Sequence, residues 1–159
     1  MFRAALFAVL LALLFPLITR GDEPKKLTKE ELIKKLEKDL SGTKLTGRYT
    51  VTGKPDMTPK EETYTITSAM KLEDPSEPNL WLIKAQMSYG GKATTYPIPL
   101  LIEWAGDTPM ISMTNMEIPM LGTFSCRLLF HEGRYAGTWQ HGSAGGHLFG
   151  TFEKLPESK

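Results

Sequence analysis

Apolar residues recur at every second position through most of the chain after residue 45, and this alternation limits the folds that are open to it. Leu45, Tyr49 and Val51 alternate with polar residues, and the same period continues in the segments around Tyr64 and Trp81. Successive side chains of a strand point to opposite faces, so a period of two predicts strands with one buried face. The period recurs less cleanly at 93–104, 109–117, 122–131, 134–141 and 147–154. About eight strands are therefore predicted.

The connections between these segments are short and rich in turn residues. Three dipeptides have the tolerance of positive φ that tight hairpins need: Gly90-Gly91, Gly106-Asp107 and Glu132-Gly133. Short connections predict an antiparallel meander. Closing the meander removes its exposed strand edges, so an all-β, closed or nearly closed barrel is favoured, with a sandwich as the second option. Pro97 and Pro99 cannot donate to a ladder, so we expect that segment at an edge, bulge or rim.

One amphipathic helix is predicted ahead of the strands, within a leader and helix segment at 22–44. Thr28 and Glu31 have the spacing of a capping box, in which two side chains satisfy backbone N–H groups reciprocally. Four apolar residues then share one face: Leu32, Ile33, Leu36 and Leu40. The polar face mixes both signs of charge, which favours a helix packed on the β domain over one that lies on a membrane.

Residues 1–21 have the features of a signal peptide. Arg3 gives a positive start, 4–18 is an uncharged apolar stretch, and Thr19 and Gly21 stand where signal peptidase reads small residues. The apolar stretch is shorter than the roughly 20 residues that span a bilayer, which favours a cleaved signal over a retained anchor. We therefore expect a periplasmic or extracellular protein with no stable membrane span after cleavage. Its β domain would occupy 45–159.

The charge and cysteine content exclude several classes of protein. Removing Arg3 and Arg20 with the signal leaves 17 basic side chains against 18 acidic ones, which offers no electrostatic footprint for nucleic acid. Cys126 is the only cysteine, so an internal disulfide is impossible. It shares an apolar strand face with Phe124, and a buried structural thiol is favoured over a catalytic one.

Four segments carry a family resemblance: WAGDTP at 104–109, LGTF at 121–124, GRYAGTWQHG at 133–142 and GGHLFG at 145–150. Together they resemble an uncharacterised family of small exported bacterial proteins, over most of the chain from about residue 45. The resemblance implies export and a compact β domain, with no assigned activity. The chain is also loosely similar to lipocalin-like barrels, which place a Gly-x-Trp near the first strand, where this sequence has Gly47-Arg48-Tyr49.

Two histidines flank the glycine-rich stretch between the last two predicted strands. His141 and His147 could hold a metal between neutral imidazoles, with His131, Asp107 or Glu117 as a third ligand. The alternative is a loop whose backbone conformation requires the positive φ that glycines supply, with the histidines capping backbone groups. The spacing matches no recognised zinc pattern, so no cofactor is expected.

Four methionines lie close together in the sequence: Met110, Met113, Met116 and Met120. Thioethers bind Cu(I) in some exported proteins. Spacings of three in a strand alternate between faces, so Met113 is expected to point away from Met110 and Met116. This geometry favours methionine as an adaptable filler of the core or rim.

The aromatic stretch of the seventh predicted strand is the candidate ligand site. Tyr135, Gly137 and Trp139 share one strand face, and if that face turns inward the glycine leaves room beside Trp139 for a ligand or a large side chain. The favoured function is a non-enzymatic binding module for a small apolar ligand or an envelope partner. Common hydrolase, metalloprotease and redox motifs are absent, which argues against an enzyme. The alternatives are an interaction protein that uses its helix or the 97–99 edge, and a metal or enzymatic site at the His141/His147 loop.

Overall fold

A computed structural model describes residues 26–56, 58–89 and 92–156. Within these ranges one helix precedes eight strands, which pair in chain order until β8 pairs with β1 and closes the barrel. The elements are α1 (Lys29–Leu40), β1 (Thr43–Tyr49), β2 (Lys60–Lys71), β3 (Leu80–Tyr89), β4 (Lys92–Ala105), β5 (Thr108–Ile118), β6 (Gly122–His131), β7 (Arg134–His141) and β8 (Ala144–Lys154). All neighbouring strands are antiparallel, so the predicted eight-stranded barrel with a preceding helix is confirmed. The first strand begins two residues before the predicted start of the β domain.

The predicted signal peptide at 1–21 lies outside the described residues. Where the structure does describe the chain, no helix has the length and apolarity that a membrane-spanning helix needs. Export therefore stays a prediction from the sequence.

Helix α1 begins at the predicted capping box and ends against the barrel. Thr28 N donates to Glu31 Oε2 at 2.8 Å, and Glu31 N donates to Thr28 Oγ1 at 3.2 Å. At the other terminus Ser41 Oγ donates to the Ala69 carbonyl at 3.2 Å and accepts from the Ala69 N–H at 2.9 Å. These bonds fix the end of the helix on β2, and Leu36 and Leu40 are buried there.

The barrel has two ends, which we call the helix end and the far end. The helix end holds the start of β1, the connection 72–79 and the turns at 106–107 and 132–133. The far end holds the last residues of β1, β3, β5 and β7. The largest fully buried side chains all lie at the helix end: Trp81, Leu40, Ile102 and Thr43. The most deeply buried side chains therefore lie where α1 covers the strands.

The ladder between β4 and β5 covers only part of the wall. Strand β4 pairs with β3 from Lys92 to Leu101, but with β5 only from Leu101 to Ala105. Ile102 N donates to the Asn79 carbonyl on the β3 side, so the nitrogens of Pro97 and Pro99 face the β5 side. The prolines thus lie on the unpaired edge of β4, which confirms the expectation for this segment. We call this stretch of the wall, in which β4 and β5 are not paired, the β4–β5 split.

An irregularity in β5 changes the predicted faces of the methionines. The register shifts between Met113 and Met116, and Asn115 between them has φ +48°. Met113 pairs with Cys126 and Met116 with Phe124, and these two partners share the inner face. The prediction that Met113 points away from Met116 was therefore wrong, because a bulge adds a residue and resets the alternation.

Candidate ligand-binding site

The inner faces of the strands surround a cavity of about 190 Å³, which runs from Phe130 near the helix end to Leu121 at the far end. Its walls are almost entirely apolar and include Met87, Ile98, Leu100, Met113, Ile118, Leu121, Phe124, Cys126 and Trp139. An apolar cavity of roughly 150 Å³ in a protein core stays dry and binds benzene. The cavity of this barrel is therefore large enough for a small aromatic or short alkyl group.

The β4–β5 split borders this cavity. Ile98 and Leu100 line it from β4, while Met113 and Ile118 line it from β5, and these residues have no ladder partners across the split. The cavity is partly open to solvent. Leu121, in the connection between β5 and β6, extends its lining to the far end. The ladder between β4 and β5 is therefore incomplete beside the cavity.

Tyr135 lies inside the barrel and reaches across two neighbouring strands. The row of paired residues runs from Tyr135 to Gly150 of β8 and on to Gly47 of β1. A Cβ atom on Gly47 would overlap the Tyr135 hydroxyl, so a glycine is needed there for the phenol to pass. The hydroxyl donates to Glu62 Oε1 at 3.0 Å. Tyr135 is 2% exposed, and its role here is to hold an acidic side chain of β2.

Glu62 is the polar centre of the inner face. Its second carboxylate oxygen, Oε2, accepts from the Tyr64 hydroxyl at 2.9 Å, and the Tyr64 ring lines the cavity. Burial raises the pKa of Glu62, and the hydrogen bonds from Tyr64 and Tyr135 offset this only in part. Burial, followed by the nearby carboxylate, raises the pKa of both tyrosines well above its usual range. Both phenols are therefore neutral donors at physiological pH.

Sequence analysis did not single out Glu62, although a signal for it was present. Glu62 lies two residues before Tyr64, in the phase of β2 that carries Tyr64 and Ile66 to the buried face. A carboxylate in the inward phase of a strand is a departure from the apolar pattern, and buried acids are rare unless they are bonded or functional.

The other two candidate residues of β7 have different surroundings. Trp139 lines the cavity, its Nε1 donates to the Thr50 carbonyl at 3.1 Å, and its ring meets Tyr49 edge to face at 5.7 Å. A Cβ atom on Gly137 would overlap the Arg127 carbonyl of β6. Gly137 is thus a site of close approach between two strands, and the open volume lies beside Trp139 further along the barrel.

The two candidate metal ligands lie on opposite faces of the sheet. The His141 ring stacks on Phe124 on the inner side of the far end, with centroids 4.2 Å apart. His147 is exposed and precedes the buried Leu148, so it faces outward. The fold does not bring these two imidazoles together.

The proposed third ligands do not complete the site either. His131 and Asp107 lie at the helix end, across the barrel from the His141/His147 loop, and Glu117 lies on the exposed face of β5. Among the described residues, no group of three or more His, Cys, Asp or Glu side chains is placed to hold a metal ion. The metal site stays a prediction without support from this geometry.

Cys126 lies in the cavity wall, on the inner face of β6. Burial raises the pKa of its thiol to about 11, although the neighbouring Arg127 lowers it slightly. A thiol with such a pKa is almost wholly protonated at neutral pH, and it is therefore a poor nucleophile.

A second, wider cavity of about 450 Å³ lies at the helix end, between α1 and the turns at 106–107 and 132–133. Apolar residues form its floor and include Leu32, Leu36, Trp104, Phe130 and Phe152. Lys35, Asp39, Asp107 and Glu132 also line this cavity. It shares the buried Phe130 with the inner cavity.

Comparisons of the chain with protein-family models, curated proteins and solved structures found no match. The resemblance to small exported bacterial proteins and the looser similarity to lipocalin-like barrels stay predictions from the sequence.

Proposed function

We propose that this protein is a non-enzymatic binding module that holds a small apolar ligand inside its barrel. The observation that carries the proposal is the apolar cavity of about 190 Å³ inside the barrel. Close packing is the usual state of a protein interior, and a void of this size loses contacts that a core side chain would otherwise make. A ligand that fills the void recovers those contacts and is removed from water at the same time.

The β4–β5 split provides the entry path in this proposal. Pro97 and Pro99 have no N–H to offer to β5, so the edge of β4 resists closure by strand pairing. A bulge at Asn115 also shifts the register of β5 against β6, beside the same stretch of wall. Both irregularities thus adjoin the proposed entry path.

The setting that we propose is the periplasm or the extracellular space, as the signal-like segment at 1–21 suggests. An envelope protein is then a second class of partner, which would receive or deliver the ligand. Fractionation of expressing cells, with mass spectrometry of the purified protein, tests this setting. Export with loss of about the first 21 residues is expected, and a full-length cytoplasmic product would contradict it.

Binding of benzene, toluene and indole, measured by ligand-observed NMR and calorimetry, tests the ligand proposal. The variant Ala85→Leu places three further carbon atoms against the cavity, because Ala85 is buried in its wall. We expect it to weaken binding at least about tenfold, as a loss of about 1.4 kcal/mol would. The matched control is Ala136→Leu, since Ala136 is exposed on the outer face of β7.

Thermal unfolding gives a second measurement of ligand binding. A ligand present at about 100 times its Kd also raises the free energy of unfolding by about 2.7 kcal/mol, which a melting experiment detects. If none of the three probes binds the wild-type protein, or if Ala85→Leu binds them as well as Ala136→Leu does, the cavity is not a ligand site.

A further inference from the structure

Among the described residues, a polar cluster around Glu62 lies inside the barrel beside the apolar cavity. Glu62 accepts one hydrogen bond on each carboxylate oxygen, from Tyr64 at 2.9 Å and from Tyr135 at 3.0 Å. Tyr64 belongs to both environments, since its ring lines the cavity and its hydroxyl bonds to Glu62. The Tyr64 side chain therefore connects the Glu62 carboxylate to the cavity that a ligand would fill.

The negative charge of Glu62 has no cationic partner in the described part of the chain, where no Lys, Arg or His side chain forms an ion pair with it. The next residue shows the contrast, because Glu61 faces outward and pairs with Arg48 at 3.5 Å. A partly buried charge without a partner is unfavourable, and this is why burial raises the pKa of the Glu62 carboxyl. A bound cation would remove that cost.

Aromatic rings surround the same position. Tyr49 and Tyr135 lie near enough to Tyr64 to affect its ionisation, and Tyr49 meets Trp139 edge to face at 5.7 Å. Trp139 lines the cavity, so this aromatic group continues from the carboxylate to the apolar space. The faces of tyrosine and tryptophan rings attract cations, and the attraction increases when water is excluded.

We infer that the ligand of the barrel is a small apolar amine, whose ammonium group binds Glu62 among the tyrosines while its hydrocarbon part fills the cavity. This inference rests on the proposed function, to which it adds the chemical class of the ligand. A ligand carboxylate would be repelled by Glu62. A neutral alcohol would keep only a hydrogen bond, without the charge-assisted contact that an ammonium group makes.

Calorimetry with three ligands of similar shape tests the inference: 2-phenylethylamine, 2-phenylethanol and phenylacetate. For the wild-type protein at pH 7 we expect the amine to bind at least about tenfold more tightly than the alcohol, and phenylacetate to bind most weakly. Glu62→Gln keeps the size of the side chain and an acceptor for the phenols, and it should remove the preference for the amine. Its affinity for the alcohol should stay within about twofold of wild type. Glu61→Gln is the matched control and should behave as wild type does.

Each outcome has one meaning. If the alcohol binds but the amine is not preferred, or if the preference survives in Glu62→Gln, the amine inference is wrong and the apolar-ligand function still stands. If neither the alcohol nor the apolar probes bind, the proposed function itself fails. Should Glu62→Gln not fold, the ¹³C shift of the Glu62 carboxyl in wild-type protein gives the answer. It should move when the amine is added and not when the alcohol is added, and equal shifts would overturn the inference.

Discussion

The two ends of the barrel interior are built from similar residues. The most buried strand side chains of the helix end border neither cavity, whereas those of the far-end half line the inner one. At the helix end Ile102 is 0% exposed and Trp81 is 1% exposed, and helix α1 closes the barrel over them. In the far-end half Ile118 is nearly as buried at 6%, yet it faces a cavity of about 190 Å³. Low exposure to solvent therefore does not by itself mean close packing. The comparison predicts that the helix end contributes most to stability, while the proposed binding uses the cavity.

The cause of the difference lies in the wall of the barrel. At the helix end β4 and β5 pair regularly, and α1 supplies Leu36 and Leu40 as additional core residues. Further from the helix the β4–β5 ladder stops, and the β5 bulge turns Met113 and Met116 to the same side. A wall without a full ladder cannot draw its inner side chains together. The hollow thus follows from local sequence choices, prolines in β4 and a bulge in β5.

The largest expected effect is a difference in the free energy of unfolding when the same substitution, isoleucine to alanine, is made at each end of the barrel. Ile102→Ala should reduce the free energy of unfolding by about 4 kcal/mol, because its cavity forms in close-packed surroundings. Ile118→Ala should cost about 2 kcal/mol, since that side chain already has empty space on one side. Urea denaturation measures both values. Equal losses would show that the far-end half is packed as well as the helix end, and the comparison would fail.

Enlarging a small core residue should reduce the stability of the protein much more at the helix end than in the far-end half. Ala69 and Ala85 are both buried on the inner face, but Ala69 lies under the end of α1, where its backbone bonds to Ser41. Ala69→Leu should destabilise the protein by about 1–3 kcal/mol through overpacking. Ala85→Leu should change stability by less than about 1 kcal/mol, because the cavity receives the added atoms. Thermal unfolding of the two variants, with Ala136→Leu as a surface control, measures the contrast, and similar losses at Ala69 and Ala85 would contradict it.

Most of the fold could be predicted because alternation is a local signal that each strand carries by itself. The period of two located the strands, and the capping box located the start of α1 at Thr28. The prolines also identified the unpaired edge of β4. The bulge was missed, because a single residue inserted at Asn115 leaves no mark in composition and yet reverses the faces of the rest of β5.

The candidate site could be predicted only in part, since it depends on contacts between strands distant in sequence. Trp139 was identified from its strand face, and it does line the cavity. The bond between Tyr135 and Glu62 could not be predicted, because it joins β7 to β2 across the glycines of two intervening strands. The histidines were prominent in the sequence, but the alternation of β7 and β8 places them on opposite faces. A sequence shows which residues could carry out chemistry. Whether those residues come together depends on the register in which the strands pair.

The smallest expected effect is the pH dependence of stability that the buried Glu62 carboxyl causes. Burial raises the pKa of Glu62 in the folded protein above its ordinary value near 4.5, so between these two pKa values the folded state binds more protons than the unfolded state. The contribution of this group to stability is thus fully present below about pH 4.5 and is lost as the pH rises through the folded pKa. Glu62→Gln should remove the loss, so its stability relative to wild type should increase from about pH 4 to pH 7, which urea denaturation measures. Glu61→Gln should show no such trend, because Glu61 is exposed and paired at the surface. If the Glu62→Gln and wild-type curves ran parallel, the far-end half would hold this carboxylate at no electrostatic cost, and the reason to expect a cationic ligand there would disappear.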